Sequence, residues 1–366
     1  MIRVLHILHH VSDSLEGWHT YIAGGLKRVS KQMIQVCFTP TSCQNFGRTN
    51  TGEVVIGYRN FTTPFFKTIV WSNRMYVDLL KYLKDGWIIH VHGERGAIPF
   101  FLSKFSGKNS KIILQQHSGI RSGIRYMVYS FYKYFMNSFN IKGIIVPSNI
   151  SMNFLKDKGV EGGKIFPISP GVGYDELLFR PFNRKEAREM LGLNKDAFII
   201  LYVGRFNNVK GFEHVLDIVR VLRSKNVLLL AVGGNLSDPF GKIFYSNLDY
   251  VKPFPRLSRE RLPLFYAASD CFMWICDPWI AYFGGIGVSV LEAMAMGCPV
   301  ISTTLTLLNN DEANLSGYVV FNKKQALDAV KEIIGGKREF NPSIVAERYT
   351  LSKYCQKIAN CVYVNV

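Results

Sequence analysis

Short runs of apolar, largely β-branched residues recur along this 366-residue chain between longer stretches of helical periodicity. Strands that are apolar on both faces are typical of parallel sheets covered by helices on each side. The alternation occurs in two series, so the sequence predicts an α/β protein with two doubly wound parallel sheets. The predicted strands are 3–8, 87–91, 111–114, 143–146 and 164–168 in the first series, and 197–203, 227–232, 271–274, 299–302 and 317–321 in the second.

A burst of glycine, proline and charge separates the two series and indicates a domain boundary. It covers residues 172–185, where we place the interdomain linker. Domains usually hold about 100 to 200 residues, so the length of the chain also favours two of them. We predict an N-terminal domain at 1–175, a C-terminal domain at 186–340, and a helical segment at 341–366 that returns to the first domain.

The net charge of +17 is concentrated in the first 150 residues, which hold 18 basic and 6 acidic side chains. Such a field favours an anionic partner, and nucleic acid, an acidic membrane surface and a phosphorylated substrate all qualify. No run of 18 apolar residues occurs, and the apolar start of the chain is too short for a secretory signal. Any membrane contact is therefore expected to be peripheral.

The cysteine pattern favours a reducing compartment. The seven cysteines are scattered and contain no CxxC pair, which argues against a disulfide framework and against a zinc ribbon. Reduced thiols in a cytoplasmic protein are the expected state.

One loop of the second series carries two fixed cations. The strand 197–203 runs into Gly204 and Arg205, and Lys210 opens the next helix. Ligands of open α/β sheets lie at the carboxyl ends of strands, and two cations beside a helix N-terminus suit a diphosphate. The alternative is that both cations are solvated loop charges.

A second loop combines glycines with a carboxylate in apolar surroundings. Gly284, Gly285 and Gly287 let backbone amides approach a phosphate where a helix begins at Val288. Glu292 lies a turn into that helix among apolar neighbours, so its carboxylate needs a partner. A ribose diol would serve, and so would a structural hydrogen bond.

Together and in this order, the segments VGRFNNVKG (203–211) and VLEAMAMGCPVIS (290–302) resemble those of the retaining glycosyltransferases of family four. The stretches ISPGV (168–172) and LFRP (178–181) resemble the interdomain region of that family, and the resemblance covers nearly the whole chain. It implies the GT-B architecture, in which two Rossmann-like domains face each other across a cleft. It also implies an enzyme without a cofactor or a metal, whose substrate is a nucleoside diphosphate sugar.

The resemblance assigns a role to each residue of the donor half. Arg205 and Lys210 match the pair that grips the diphosphate of the donor. Glu292 matches the carboxylate that holds the nucleotide ribose, and the backbone amides of Gly287 and Val288 match the turn against the phosphates.

Two features of the N-terminal half also resemble the family. Gly17, in the segment 16–18, stands where the family has its glycine-rich first loop, with the usual glycine pair reduced to one. His117 follows the strand 111–114 and resembles the histidine that reaches the donor sugar and the reaction centre. His90 and His92 also end a strand, but two residues without a third ligand in view do not predict a metal site.

The sequence departs from the family pattern at the sugar pocket. Gly284 stands where the family usually has a second glutamate, which binds a hydroxyl of the transferred sugar. Losing a charge-assisted hydrogen bond of about 1.5 to 3 kcal/mol lowers donor use by roughly 10- to 100-fold. Either Asp277 substitutes for it, or the donor sugar differs, or catalysis is weak. Three further positions leave the nucleotide base open: Pro255, Thr306 and Leu307.

The acceptor leaves the weakest signal in the sequence. The stretch 121–136 is basic and aromatic, and on a helix it could lie on an anionic bilayer at the cytoplasmic face. An ordinary packing helix with a solvated basic edge is the alternative. With the charge of the first 150 residues, it favours a lipid-linked or phosphorylated acceptor, such as a glycan precursor of a polysaccharide.

The resemblance implies a metal-independent retaining glycosyltransferase of the hexosyltransferase type, and no nucleic acid partner is expected. Two other functions compete with it. One is a nucleotide-sugar epimerase or hydrolase on the same architecture, and the other is a non-catalytic module that binds polyanions.

Overall fold

The computed structural model describes residues 1–8, 18–41, 45–48, 52–59, 72–93, 97–117, 133–246 and 248–366. The chain folds into two compact units, the first made of Met1–Gly171 with Leu351–Val366 and the second of Val172–Thr350. The stretch expected to be the linker, 172–185, lies within the second unit. The C-terminal segment divides at Thr350, and its last 16 residues belong to the first unit.

The described part of the first unit is built on an eight-stranded sheet in the order β3-β4-β2-β1-β5-β6-β7-β8. Neighbouring strands pair in parallel, except for the antiparallel pair β3–β4 at one edge. The strands are β1 (Arg3–Leu8), β2 (Ile34–Thr41), β3 (Asn45–Arg48), β4 (Val54–Arg59), β5 (Ile88–His92), β6 (Lys111–Gln115), β7 (Ile141–Val146) and β8 (Ile165–Pro167).

Helices join these strands and cover the sheet. Side chains of β1, β5, β6 and β7 are almost wholly buried, as parallel strands between helices require. The C-terminal helix packs on the first helix, where Gly25 gives room for Leu351 and Cys355. The described part of the unit has the helices Trp18–Val29, Asn73–Lys84, Ala97–Phe105, Asn149–Asp157 and Leu351–Lys357, the last continued by a π-helical turn at Ile358–Val362.

The second unit has a six-stranded sheet over its described residues, in the order β11-β10-β9-β12-β13-β14. All five neighbouring pairs are parallel. The strands are β9 (Phe198–Val203), β10 (Val227–Gly234), β11 (Val251–Pro255), β12 (Cys271–Trp274), β13 (Val300–Ser302) and β14 (Gly317–Val319). The helices are Arg184–Met190, Phe212–Leu222, Leu262–Ala268, Pro278–Gly284, Val288–Ala295, Asn310–Ser316, Lys323–Ile334 and Pro342–Ala346.

The predicted fold class is confirmed, and each of the ten predicted strands is present within two residues of its expected bounds. Each unit has its own apolar core around its sheet. Within the described ranges no single helix has the length and hydropathy of a membrane span; Pro278–Gly284 and Val288–Ala295 reach that hydropathy only as a pair bent by 87°.

Candidate functional site

The loop after β9 is held in shape by its own glycines and by an asparagine cap. The Asn207 side chain accepts a hydrogen bond of 3.0 Å from the backbone N–H of Lys210. Gly211 follows with a left-handed φ of 70°, and a Cβ there would lie 1.6 Å from the carbonyl oxygen of Ile275. Because these two backbones approach so closely, the position of Lys210, which precedes Gly211, is fixed relative to Ile275.

Lys210 is a cation kept largely out of water. Its Nζ lies 4.7 Å from the ring centroid of Trp274, which is buried at the end of β12. Burial lowers the pKa of the Lys210 ammonium; the Cys276 thiol opposes the shift, and the positive charge of Arg205 adds to it. An anion stabilises a desolvated cation that lies near a second cation more strongly than it stabilises a solvated one. Arg205 is exposed in the same loop.

The Trp274 ring, which lies next to Lys210, also contacts the glycine loop. A Cβ on Gly287 would lie 2.3 Å from the Trp274 ring, so only glycine fits there without a shift. Gly285 has a φ of 78° and joins the helix Pro278–Gly284 to the helix that begins at Val288. The structure thus brings together the two loops that the sequence singled out, with one indole between them.

The predicted sugar-pocket residues lie on the helix that precedes this turn. Gly284 is exposed at its last position, while Gly285 is buried. The Asp277 carboxylate caps the N-terminus of the same helix, accepting a hydrogen bond of 2.9 Å from the Trp279 backbone. Asp277 therefore already serves the fold, and its substitution for the missing glutamate stays a prediction.

Glu292 lies in a network that the sequence did not reveal. It is 3% exposed; its Oε1 accepts from Arg259 at 2.6 Å and its Oε2 from the Tyr266 hydroxyl at 2.9 Å. Burial raises the pKa of Glu292 to about 7, opposed by Arg259 and Tyr266 and supported by the negative charge of Asp175. Each oxygen keeps a second lone pair, so a ribose hydroxyl would join these donors or displace the half-exposed Arg259.

The first unit holds a buried cluster of histidines around His117. His6 Nδ1 lies 3.0 Å from His92 Nε2, and His92 Nδ1 lies 3.3 Å from His117 Nε2. His90 stacks on His92 and its Nδ1 lies 2.7 Å from the Tyr363 hydroxyl. Burial lowers the pKa of His6 to about 4 and those of His90 and His92 well below their ordinary value, so these rings are neutral.

His6 supplies the third imidazole that the sequence did not place beside His90 and His92. One ring nitrogen from each lies within 4.8 Å of the others, a spacing that a metal ion could use. The His6–His92 and His90–Tyr363 hydrogen bonds already occupy nitrogens of all three rings. A metal would have to displace hydrogen bonds of His6 and His92, both of whose ring nitrogens are occupied, but it could use His90 Nε2 without breaking the bond to Tyr363. The prediction of no metal stays untested.

The structure describes only some of the remaining predicted residues. Gly17 and most of the stretch 121–136 fall outside the described residues. Pro255 ends the edge strand β11, and Thr306 and Leu307 lie in a 3-10 turn after β13.

Sequence reasoning missed the side chains that contact the predicted ones, which are Arg259, Tyr266, Trp274 and His6. An aromatic residue among apolar neighbours, or a histidine within a strand, belongs to no recognisable sequence motif. His6 on β1 is paired with His90 on β5. Histidines in both strands were therefore the signal that could have revealed this cluster.

Residues 183–339 match the family model described as glycosyl transferases group 1. The chain is 28% identical over 158 residues to D-inositol 3-phosphate glycosyltransferase 2 of Catenulispora acidiphila, covering 39% of this chain and 35% of that protein. It is 31% identical over 160 residues to D-inositol 3-phosphate glycosyltransferase of Streptomyces avermitilis, covering 40% and 33%. The matches therefore span about a third of the length of these relatives.

Solved structures resemble the chain over almost its whole length. Sucrose-phosphate synthase from Thermosynechococcus elongatus superposes with a TM-score of 0.71 at 18% identity, covering 99% of this chain and 98% of that one. HepE from Anabaena in complex with UDP-glucose gives 0.71 at 13% identity, covering 100% of both. At such identities the likeness concerns the fold, which is GT-B.

Proposed function

We propose that this protein is a glycosyltransferase, because residues 183–339 match the family model of the glycosyl transferases group 1 and the chain has the GT-B fold. It moves a sugar, a hexose in the first instance, from a nucleoside diphosphate donor to a hydroxyl acceptor. The configuration at the anomeric carbon is retained, as in the family four enzymes that the motifs resemble, and no metal takes part.

The placement of Lys210 carries this proposal. Its ammonium is desolvated over the Trp274 ring, and the same ring contacts the turn at Gly287. A diphosphate held there would meet the Lys210 ammonium, the Arg205 guanidinium and the N-terminal turn of the helix that begins at Val288. Fixed cations in a partly dry site stabilise negative charge without reorganisation of solvent.

The chemistry asked of this site is the departure of a diphosphate. The bond between the anomeric carbon and the phosphate oxygen breaks, and the acceptor oxygen bonds to the same face of that carbon. The acceptor proton passes to the departing phosphate, so no nucleophile of the protein is needed. Arg205 and Lys210 stabilise the charge that develops on the phosphate, since it is larger in the transition state than in the donor.

We assign the remaining roles by the same correspondence. Glu292 receives the nucleotide ribose, and His117 serves the donor sugar. The pocket around Asp277, Gly284 and Gly285 lacks the usual glutamate, so it accepts a donor whose sugar is bound without that carboxylate.

The first experiment is a thermal-shift panel of nucleoside diphosphates and their sugar conjugates in EDTA. UDP and UDP-glucose come first, because HepE was solved with UDP-glucose. A ligand that binds the native state alone raises the melting temperature by mass action. We expect one nucleotide to do so, and Lys210→Ala and Arg205→Ala to abolish the shift.

Lys195→Ala is the matched control, because Lys195 lies in the same unit with its side chain 69% exposed. It should retain the shift. If no nucleotide stabilises the protein, the transferase proposal fails and polyanion binding takes its place. Release of free sugar or of an isomer without an acceptor would establish a hydrolase or an epimerase instead.

We extend the proposal to a lipid-linked or polysaccharide-precursor acceptor at the cytoplasmic face of a membrane. The excess of basic residues in the first 150 positions supports it. Co-sedimentation with vesicles containing anionic phosphatidylglycerol should exceed that with phosphatidylcholine alone, and raised salt should remove the difference. Equal binding to both vesicles would exclude an electrostatic membrane contact.

A further inference from the structure

A line of hydrogen bonds, buried except for the partly buried last one, crosses the sheet of the first unit and ends at His117. It starts at Gln35 on β2, passes through His6 on β1 and His92 on β5, and reaches the residue two positions past β6. These four strands are neighbours in the order β2-β1-β5-β6. We call Gln35, His6 and His92 the relay.

The glutamine at the start of the relay has a fixed orientation. Gln35 Nε2 donates to the carbonyl oxygen of Ala23 at 2.9 Å, so its Oε1 is the atom that lies 2.9 Å from His6 Nε2. An amide oxygen only accepts. His6 therefore carries its proton on Nε2.

The position of the proton on one neutral ring then determines the position of the proton on the next. With its proton on Nε2, His6 has only a lone pair at Nδ1, so His92 Nε2 must donate to it at 3.0 Å. His92 Nδ1 is then an acceptor, and His117 Nε2 donates to it at 3.3 Å. Burial keeps His6 and His92 neutral, which the deduction requires.

We propose that the relay fixes the tautomer of His117, holding a proton on Nε2 and leaving Nδ1 as the nitrogen that gains and loses a proton. Gln35, His6 and His92 are then positioning residues, and His117 meets substrate as a hydrogen-bond acceptor. This last step rests on the proposed function. Its consequence is that a substrate group that hydrogen-bonds to His117 Nδ1 must donate, so a hydroxyl of the sugar or the acceptor would serve and a carbonyl or phosphate oxygen would not.

The test is long-range proton–nitrogen NMR on the full chain labelled with 15N-histidine, at about pH 8, where an ordinary imidazole is neutral. The His117 signals are identified by their loss in His117→Gln. We expect a single tautomer with Nε2 protonated. A proton on Nδ1, or comparable populations of both tautomers, would overturn the relay.

Elemental analysis of the purified protein is a second check. One equivalent of zinc per chain would also overturn the relay, because a metal would take the nitrogen lone pairs that these hydrogen bonds use. The expected result is no stoichiometric metal.

Gln35→Met removes the acceptor that orients His6 while keeping the volume of the side chain. His117 should then become a mixture of tautomers, and kcat should fall about tenfold with the Kd of the donor unchanged. Gln115→Met is the matched control: it removes another buried glutamine, which donates to the Tyr354 hydroxyl outside the relay, and should keep the tautomer.

The wild-type spectrum decides the matter even if Gln35→Met does not fold. The spectrum also needs no substrate, so its outcome is independent of the glycosyltransferase proposal. A single Nε2-protonated tautomer together with no nucleotide binding would retain the relay and reject the function.

Discussion

At the scale of single residues, Gly211 is the position whose replacement has the clearest cost. Its φ of 70° strains any other residue, and an alanine Cβ would also overlap the Ile275 carbonyl oxygen. The left-handed backbone alone costs about 1 to 2 kcal/mol. We expect Gly211→Ala to lower the free energy of unfolding by about 3 kcal/mol or more, measured by urea denaturation.

Gly336→Ala separates the two contributions. Gly336 has a similar φ of 62°, but nothing lies within 4 Å of the added Cβ. It should lose only about 1 to 2 kcal/mol, the cost of the backbone. Equal losses in the two variants would show that the contact with Ile275 has no energetic effect.

Glu292 makes stability depend on pH in a definite direction. Its pKa is raised from 4.5 to about 7 in the folded state, so folding favours the protonated carboxyl. The resulting stability is fully present below about pH 4.5 and is lost as pH rises through 7. Between these values, the wild type should lose about 2 to 4 kcal/mol relative to Glu292→Gln, by urea denaturation at several pH values.

Tyr266→Phe should extend the same loss to higher pH. The Tyr266 hydroxyl hydrogen bond lowers the pKa of Glu292, so its removal lets that pKa rise further. Parallel stability curves of the wild type and Glu292→Gln would contradict this account of the buried carboxylate.

These residues also show how far sequence reasoning reaches at a site. Arg205 and Lys210 lie in one short loop, so their proximity follows from the sequence. Arg259 and Tyr266 reach Glu292 from residues 26 or more positions earlier. Nothing local marks them, because a partner for a buried carboxylate can come from any neighbouring helix.

At the scale of elements, strands made of continuous apolar runs were predictable, whereas the interior strands β2 and β4 and the edge strands β3 and β11 were not predicted. The apolar runs that form β9 and β10 are covered on both faces, so their composition alone identifies them. β11 has the sequence VKPFP, and its two prolines argue against a strand. It forms at the edge of the sheet, where missing N–H donors are tolerated.

The C-terminal helix Leu351–Lys357 is connected to β6, in the sheet of the first unit, by a buried hydrogen bond. Gln115 Nε2 donates to the Tyr354 hydroxyl at 2.6 Å. Tyr354→Phe leaves this donor without its acceptor, which costs about 1 to 3 kcal/mol. The melting temperature of the first unit should fall, whereas Tyr245→Phe, at a side chain 76% exposed, should leave it unchanged. An unchanged melting temperature in Tyr354→Phe would show that this bond does not stabilise the unit.

At the scale of the whole molecule, the two apolar cores share no residue. One core lies between residues 174 and 346 and the other between residues 5 and 165. Because each core, over the described residues, lies within one unit, we expect calorimetry to show two unfolding transitions. Tyr354→Phe identifies the transition of the first unit by lowering it.

The residues proposed to hold the nucleotide, Arg205, Lys210 and Glu292, lie in the second unit, so a nucleoside diphosphate without its sugar should act on one transition alone. A nucleotide at a hundredfold excess over its Kd stabilises the state that binds it by about 2.7 kcal/mol. For a unit of this size that raises the melting temperature by about 5 to 10 °C. Lys210→Ala should abolish this shift. If the nucleotide instead shifts the transition of the first unit, which is the one that Tyr354→Phe lowers, the nucleotide binds in the first unit.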